Sequence, residues 1–224
     1  MKIPPWSFSS IKAFDQCPKK YYHLKVAKDY KEPLTDAITY GSEFHKAAEL
    51  YIKEGVPLPP QFNYAKGALD NLNQLPGEKL CEYEMGRTEN LDPCGFRDEQ
   101  VWWRGIADLI ILDREKGEAR VLDYKTGKSA KYADTGQLEL MALAIFKHFP
   151  EVRKVKAGLL FVIAKQFVKD NYNIDAAPTM WQKWLRDHDR MRFAYQTNVW
   201  NPRPSGLCKK HCVVVECPHN GGHM

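Results

Sequence analysis

The stretch that constrains the fold most is 101–127, VWWRGIADLIILDREKGEARVLDYKTG. Two runs rich in branched and aromatic residues flank a turn signal, EKGE at Glu115–Glu118. Such runs on either side of a glycine-containing turn predict a β-hairpin. Side chains alternate between the faces of a strand, so Asp123 and Lys125 project together while Leu122 and Tyr124 take the other face. Folding the hairpin about Glu115 and Lys116 sets Asp108 opposite Asp123. Two facing carboxylates destabilise a ladder unless something neutralises them. A divalent cation does so, and Mg²⁺ is typically held by one or two carboxylates together with substrate phosphates. Lys125, one pleat away, is then placed to orient a water or to stabilise charge building on a phosphate. The TGKS that follows (Thr126–Ser129) lacks the glycine that a nucleotide-binding loop needs, because Leu122 stands at that position. ATP binding is therefore not expected.

Around this hairpin the pattern alternates. KLCEYEMG (79–86) and VKAGLLFVIAK (155–165) predict two further strands, and TGQLELMALAIFKHFP (135–150) a helix between the third and fourth. Upstream, SFSSIKAFDQCPKKYYHLKV predicts a helix capped by Ser9 or Ser10, with Pro18 falling inside it. Phe44, Ala47, Ala48 and Tyr51 mark a second helix over about 40–53, and a third covers about 63–74. A last helix runs from about 178 to 195, before a cysteine-rich tail over 200–224. Strand–helix–strand with outer helices predicts an α/β fold with a central mixed sheet. The chain reads as a single domain over 1–224, without a linker long enough to divide it.

With 224 residues, 44% apolar, and six Trp, eleven Tyr and ten Phe, the chain is too rich in core formers to be disordered. No apolar run reaches the ~18 residues of a membrane helix. The opening MKIPPWSFSS lacks a basic start followed by an apolar stretch, so no secretion leader is expected. An intracellular, cytoplasmic location follows as the expectation. The net charge of +5 suits a polyanionic partner without demanding one.

Cysteines in a reducing compartment are read first as metal ligands. Cys208, Cys212 and Cys217 fall within ten residues as C-x3-C-x4-C, one ligand short of a tetrahedral centre. Cys17, in QCPKKYY, would complete a Cys₄ site for a [4Fe–4S] cluster and bring the tail against the N-terminal helix. His219 or His211 would instead complete a Cys₃His zinc site within the tail. Cys81 and Cys94 read as ordinary thiols. Lys19, Lys20, Lys25 and Lys28 interleave with Tyr21, Tyr22 and Tyr30, a mixture that suits single-stranded DNA or, equally, a solvated amphipathic helix. Lys128 and Lys131, beside the hairpin, are placed for phosphate contact.

The order GSEFH (41–45), Glu82 in CEYE, GIAD, LDYKTGK and QLELMAL resembles the RecB-type branch of the PD-(D/E)XK nucleases. One early and three late cysteines make it similar to the four-cysteine AddB and CRISPR-associated exonuclease group, although C-x3-C-x4-C departs from that group's usual C-x2-C-x5-C. The resemblance implies a restriction-endonuclease-like core in which His45, Asp108 and Asp123 hold Mg²⁺ or Mn²⁺. It implies that Lys125 is the catalytic lysine and that Gln137 contacts DNA or the site. Glu82 or Glu84 would match the acidic position of the first strand, and Tyr124, with Lys128 and Lys131, would meet substrate. The family's tyrosine four residues beyond the glutamine is Met141 here. The expected function is a metal-dependent DNA nuclease, an exonuclease acting on free or single-stranded ends in repair, recombination or phage replication. The alternatives are a non-catalytic DNA-binding module stabilised by a cysteine–metal site, and a structure-specific endonuclease using the same residues.

Overall fold

The structure, a computed structural model, describes residues 3–221. The first two residues of the opening stretch and 222–224 of the predicted tail lie outside the described residues. Two compact units divide the chain, one formed by residues 35–181 and the other by its two ends, up to Leu34 and from Gln182 onward.

The terminal unit begins with α1 (Phe8–Gln16) and α2 (Pro18–Tyr21), followed by a π-helical turn over Tyr22–Ala27. The cap of α1 is Ser7 rather than Ser9 or Ser10. Its Oγ accepts from the Ser10 amide at 3.3 Å while Ser10 Oγ accepts from the Ser7 amide at 2.8 Å, so two orphan donors are satisfied reciprocally. Pro18 interrupts the helix and restarts it, since at the first position of α2 its missing N–H costs nothing. Trp6, fully buried, stacks on His188 with ring centroids 5.5 Å apart, and Asp15 pairs with Arg190 at 2.7 Å. His188 and Arg190 belong to α6 (Ala177–Thr197), which enters this unit at Gln182.

The sheet unit opens with α3 (Asp36–Glu54), capped by Thr35 and ended by Gly55 in the left-handed conformation. A 3₁₀ turn (Pro60–Ala65) leads into α4 (Lys66–Gln74). Six strands follow, β1 (Glu78–Arg87), β2 (Pro93–Cys94), β3 (Trp103–Asp113), β4 (Glu118–Lys125), β5 (Lys154–Phe161) and β6 (Gln166–Asn173). They form one sheet in the order β2-β1-β3-β4-β5-β6. Every pairing is antiparallel except β4 with β5, which α5 (Gly136–His148) connects as a crossover. This mixed sheet flanked by helices is the predicted α/β fold. β6 was not foreseen: its sequence, QFVKDNYN, is polar because it is an edge strand with little to bury.

Two apolar layers flank the sheet. Leu109, Ile111, Leu122 and Tyr124 join Phe44, Ala47, Ala48 and Ile52 of α3 and Leu69 of α4 in one buried cluster. Alternation sends Ile110, Leu112 and Val121 to the other face, toward α5. There Leu138 and Leu140 through Phe146 are all buried, so this helix is apolar around its whole circumference. Truncating Leu143, 1% exposed, would cost roughly 2–5 kcal/mol.

Candidate active site

The site forms where the sheet ladders give way. Between β3 and β4 the register runs from Asp113↔Glu118 to Leu109↔Leu122, the register read from the EKGE turn. Pairing stops one residue short of Asp108 and Asp123. Between β1 and β3, Cys81↔Leu109 and Tyr83↔Ala107 are paired, whereas Glu82 and Asp108 between them are not. Glu82 sits at φ +45°, a left-handed conformation that a non-glycine residue adopts at a cost of about 1 kcal/mol or more. Glu82, Asp108 and Asp123 thus occupy one row across three strands, at a break in both ladders.

The break gives Asp108 its second partner. Its Oδ2 accepts the Tyr124 amide at 2.6 Å, a donor the ladder would otherwise have used. Its Oδ1 lies 3.3 Å from His45 Nδ1 on α3. His45 Nε2 donates to the Tyr124 carbonyl at 3.1 Å, which places a proton on Nε2 and turns Nδ1 toward the carboxylates. Glu82 Oε1 stands 3.9 Å from the same nitrogen. One donor atom from each of His45, Glu82 and Asp108 lies within 4.8 Å of the others.

Asp123 belongs to an adjoining network. Lys125 Nζ lies 2.6 Å from its Oδ2. Gln137, on the first turn of α5, donates to its Oδ1 at 2.5 Å and accepts from Lys125 at 3.2 Å. Burial, and then the neighbouring Asp108, push the Asp123 carboxyl up to about 6. Burial and Asp108 likewise raise Glu82. For His45, burial acts to lower the pKa, but Asp108, Asp123 and Glu82 outweigh it and the net shift is upward. These are the marks of a carboxylate cluster short of positive charge.

A family model for the PD-(D/E)XK nuclease superfamily matches residues 5–217. The chain belongs to that superfamily. It is 24% identical to the gene 69 protein of Mycobacterium phage L5, over 96% of this chain and 97% of that protein. It is 23% identical to the gene 69 protein of Mycobacterium phage D29, over 97% and 98%. A solved structure of a candidate exonuclease from Eubacterium rectale superposes with a TM-score of 0.56 at 11% identity, covering 93% of this chain and 86% of that one. At that identity the likeness is one of fold.

PD-(D/E)XK nucleases are metal-dependent enzymes acting on DNA, with Mg²⁺ or Mn²⁺ as typical ions. The donor set here fits such an ion. One imidazole nitrogen and two carboxylates converge, and the imidazole donates its other N–H to a backbone carbonyl, the arrangement that orients a metal-bound histidine. A bound divalent ion supplies Lewis acidity toward a phosphate oxygen and lowers the pKa of a coordinated water. Among the described residues, no helix is long and apolar enough to cross a membrane.

The other predicted site residues divide. Glu82, not Glu84, faces the cluster; Glu84 pairs instead with Arg97 at 3.5 Å. The sequence leaves Glu82 and Glu84 as alternatives because the connection between β1 and β3 spans 88–102, too long to read a register from. Tyr124 is 2% exposed, its ring edge-on to Phe44 at 5.8 Å within the apolar cluster, because alternation turns it away from the face that carries Asp123 and Lys125. Lys128 and Lys131 are exposed in the loop between β4 and α5, and Lys131 Nζ lies 5.3 Å from the ring centre of Tyr132, itself 87% exposed. Met141 is buried, its methyl group against Gly105. Cys81, half-buried, has its thiol pushed up to about 11 by burial, as suits an inert group.

In the terminal unit, Cys17, Cys208, Cys212 and Cys217 line one cavity together with His219. Cys17 Sγ accepts from the backbone amides of Lys20 at 3.5 Å and Arg203 at 3.4 Å, and Cys208 Sγ from that of Ser205 at 3.4 Å. Among the described residues, no three of these sulfurs and His219 approach within 4.8 Å of one another.

Proposed function

We propose that this chain is a divalent-metal-dependent exonuclease that hydrolyses phosphodiester bonds at DNA ends. The observation that carries this reading is the row Glu82–Asp108–Asp123 at the ladder break, met by His45 from α3 and by Lys125 and Gln137 beside it. In this reading His45, Glu82 and Asp108 hold the ion, with Asp123 completing the acidic row. Lys125 stabilises charge on the attacked phosphate, and Gln137 fixes Asp123 and Lys125 relative to each other. The candidate exonuclease among structures of like fold supports exonuclease action. The mycobacteriophage relatives favour a role in phage DNA metabolism inside an infected cell.

The terminal unit holds a [4Fe–4S] cluster on Cys17, Cys208, Cys212 and Cys217, as in the four-cysteine RecB-like group. What supports it is the lining of one cavity by all four cysteines, with backbone amides donating to two of their sulfurs. The cluster would tie the N-terminal helices to the tail.

The test is an anaerobic assay on end-labelled linear DNA and covalently closed circles, with Mg²⁺, Mn²⁺ or EDTA. Metal-dependent loss of linear DNA with circles spared is the expected result. Cutting of circles would replace the reading with an endonuclease. No cleavage in any metal, from protein with its cysteine site filled, would leave a DNA-binding module.

A further inference from the structure

Beside the cysteine cavity, the terminal unit carries an open depression of about 280 Å³ lined by Lys19, Tyr22, His23, Asn198, Trp200 and Pro202. None of these residues belongs to the acidic site, and all come from two short stretches of chain brought together by the unit's fold. The depression is roomy enough for one nucleobase with its sugar.

Its rings are held in place before any ligand arrives. Asn198 follows the last turn of α6 at φ +55°, a conformation asparagine tolerates better than most residues. From there its side-chain oxygen accepts the Trp200 indole N–H at 2.9 Å. Tyr21 stacks on Trp200 at 6.1 Å and 25°, and Tyr195 meets it edge-on at 5.0 Å, so the indole cannot swing away. Tyr22 sits 5.3 Å from Trp200 at a tilt of 38°. His23, edge-on to Tyr22 at 5.3 Å, is anchored by Asp29 at 3.0 Å. The aromatic residues are only half-buried although this unit has an aromatic core in which they could have been sequestered.

Among the lining residues the fixed charge is the Lys19 cation, with Asp29 engaged by His23. Lys20 is taken by Glu32 at 2.7 Å, whereas no carboxylate pairs with Lys19 among the described residues. A depression with aromatic side walls and a cation on its rim matches a base flanked by its phosphate. Every base offers a π-face, and the backbone supplies the anion. A duplex, whose bases are stacked inside, does not present that combination.

We infer that Tyr22 and Trp200 form a stacking site for an unpaired nucleotide, with Lys19 on the adjacent phosphate, and that this terminal-unit site gives the protein its preference for single-stranded DNA. The inference rests on the nuclease reading for its substrate class, but not on the acidic site. Lys19 and Pro202 also line the cysteine cavity, so a metal centre held by the cysteines would brace two walls of the stacking site.

The test uses the full chain carrying Asp108→Asn, in EDTA, so that bound DNA is not cut. Fluorescence anisotropy compares a labelled oligothymidylate of about 12 nucleotides with a blunt hairpin duplex. Tyr22→Ala is expected to weaken single-strand binding about tenfold with duplex binding unchanged, and Tyr22→Phe to restore it. Lys19→Gln is expected to weaken it and reduce the salt slope by about one ion. Unchanged single-strand binding in Tyr22→Ala, or equal losses on single strand and duplex, overturns the site. If Tyr22→Ala fails to fold, as judged by melting and by metal content, Lys19→Gln decides, and an unchanged salt slope overturns it. Cleavage by the unsubstituted protein is scored separately. Cleavage without single-strand preference sinks the stacking site, whereas single-strand preference lost in Tyr22→Ala but no cleavage sinks the nuclease reading alone.

Discussion

His45 Nδ1 lies 3.3 Å from Asp108 Oδ1 although the two approach from opposite faces of the sheet. Alternation assigns Asp108 to the face that α5 covers, whereas His45 rises from α3, which packs on Leu109, Ile111 and Leu122. The contact is possible because β3 and β4 stop pairing at Leu109↔Leu122. In the opening, Asp108 keeps one oxygen on the Tyr124 amide and turns the other toward α3. The helix on one face and the helix on the other, through Gln137 and Asp123, thereby supply side chains to one row of carboxylates.

That geometry predicts a separable effect at Glu82. Its left-handed backbone is strained, and glycine adopts φ > 0 freely while costing chain entropy, so Glu82→Gly should change stability by less than about 1 kcal/mol. Loss of its carboxylate should nevertheless weaken divalent-ion binding roughly 10–100-fold. Thermal melting in EDTA and Mn²⁺ titration of melting temperature check the two halves. Unaltered Mn²⁺ stabilisation in Glu82→Gly would remove Glu82 from the ion site.

Lys125 and Gln137 should fail in different ways. Lys125→Ala removes a cation that acts on the developing phosphate charge, so kcat should fall by about 10²–10³ with little change in KM. Gln137→Ala leaves the cation but frees Asp123, so its defect should lie in ion affinity and be largely recovered at high Mg²⁺. Steady-state kinetics across a Mg²⁺ series distinguishes them. A Gln137→Ala defect that excess Mg²⁺ does not touch would place Gln137 on the DNA instead of on Asp123.

The sheet and part of the site were legible because their signals are local. The EKGE turn, with Gly117 at φ +61°, sets the β3–β4 register, and that register aligns Asp108 with Asp123. Asp123 and Lys125 share a face by simple alternation. What stayed open or escaped depends on contacts distant in sequence. Glu82 joins the row only through pairing across 88–102, and β6 is a polar edge strand with little apolar signature. Ser7 rather than Ser9 or Ser10 caps α1, because three serines in SFSS compete and only the reciprocal bond to Ser10 decides among them.

The cysteine cavity makes a compositional prediction. Protein purified without oxygen should carry about four iron and four acid-labile sulfide per chain and absorb visible light, and Cys17→Ser should lose most of both. Cys17 is the informative position, because its sulfur accepts from amides of both Lys20 and Arg203 and so joins two separate chain segments. One zinc per chain with no sulfide would replace the cluster with a mononuclear site.

His188 predicts how stability responds to acid. Burial, and then the nearby Arg192, lower its pKa from 6.5 to about 4, and the ring stacks on Trp6. Because the folded pKa of this base is depressed, the unfolded chain binds a proton near pH 6.5 that the native state refuses until about pH 4. Stability is therefore fully present above pH 6.5 and declines as pH falls toward 4. The size is about 1–2 kcal/mol after discounting for solvent screening, since Arg192 is itself 42% exposed. His188→Gln removes the titration while keeping a polar side chain of similar reach. Urea unfolding at pH 7.5 and pH 5.0 should show the unsubstituted protein losing about 1–2 kcal/mol more than His188→Gln. Parallel losses in the two proteins would assign the acid sensitivity elsewhere.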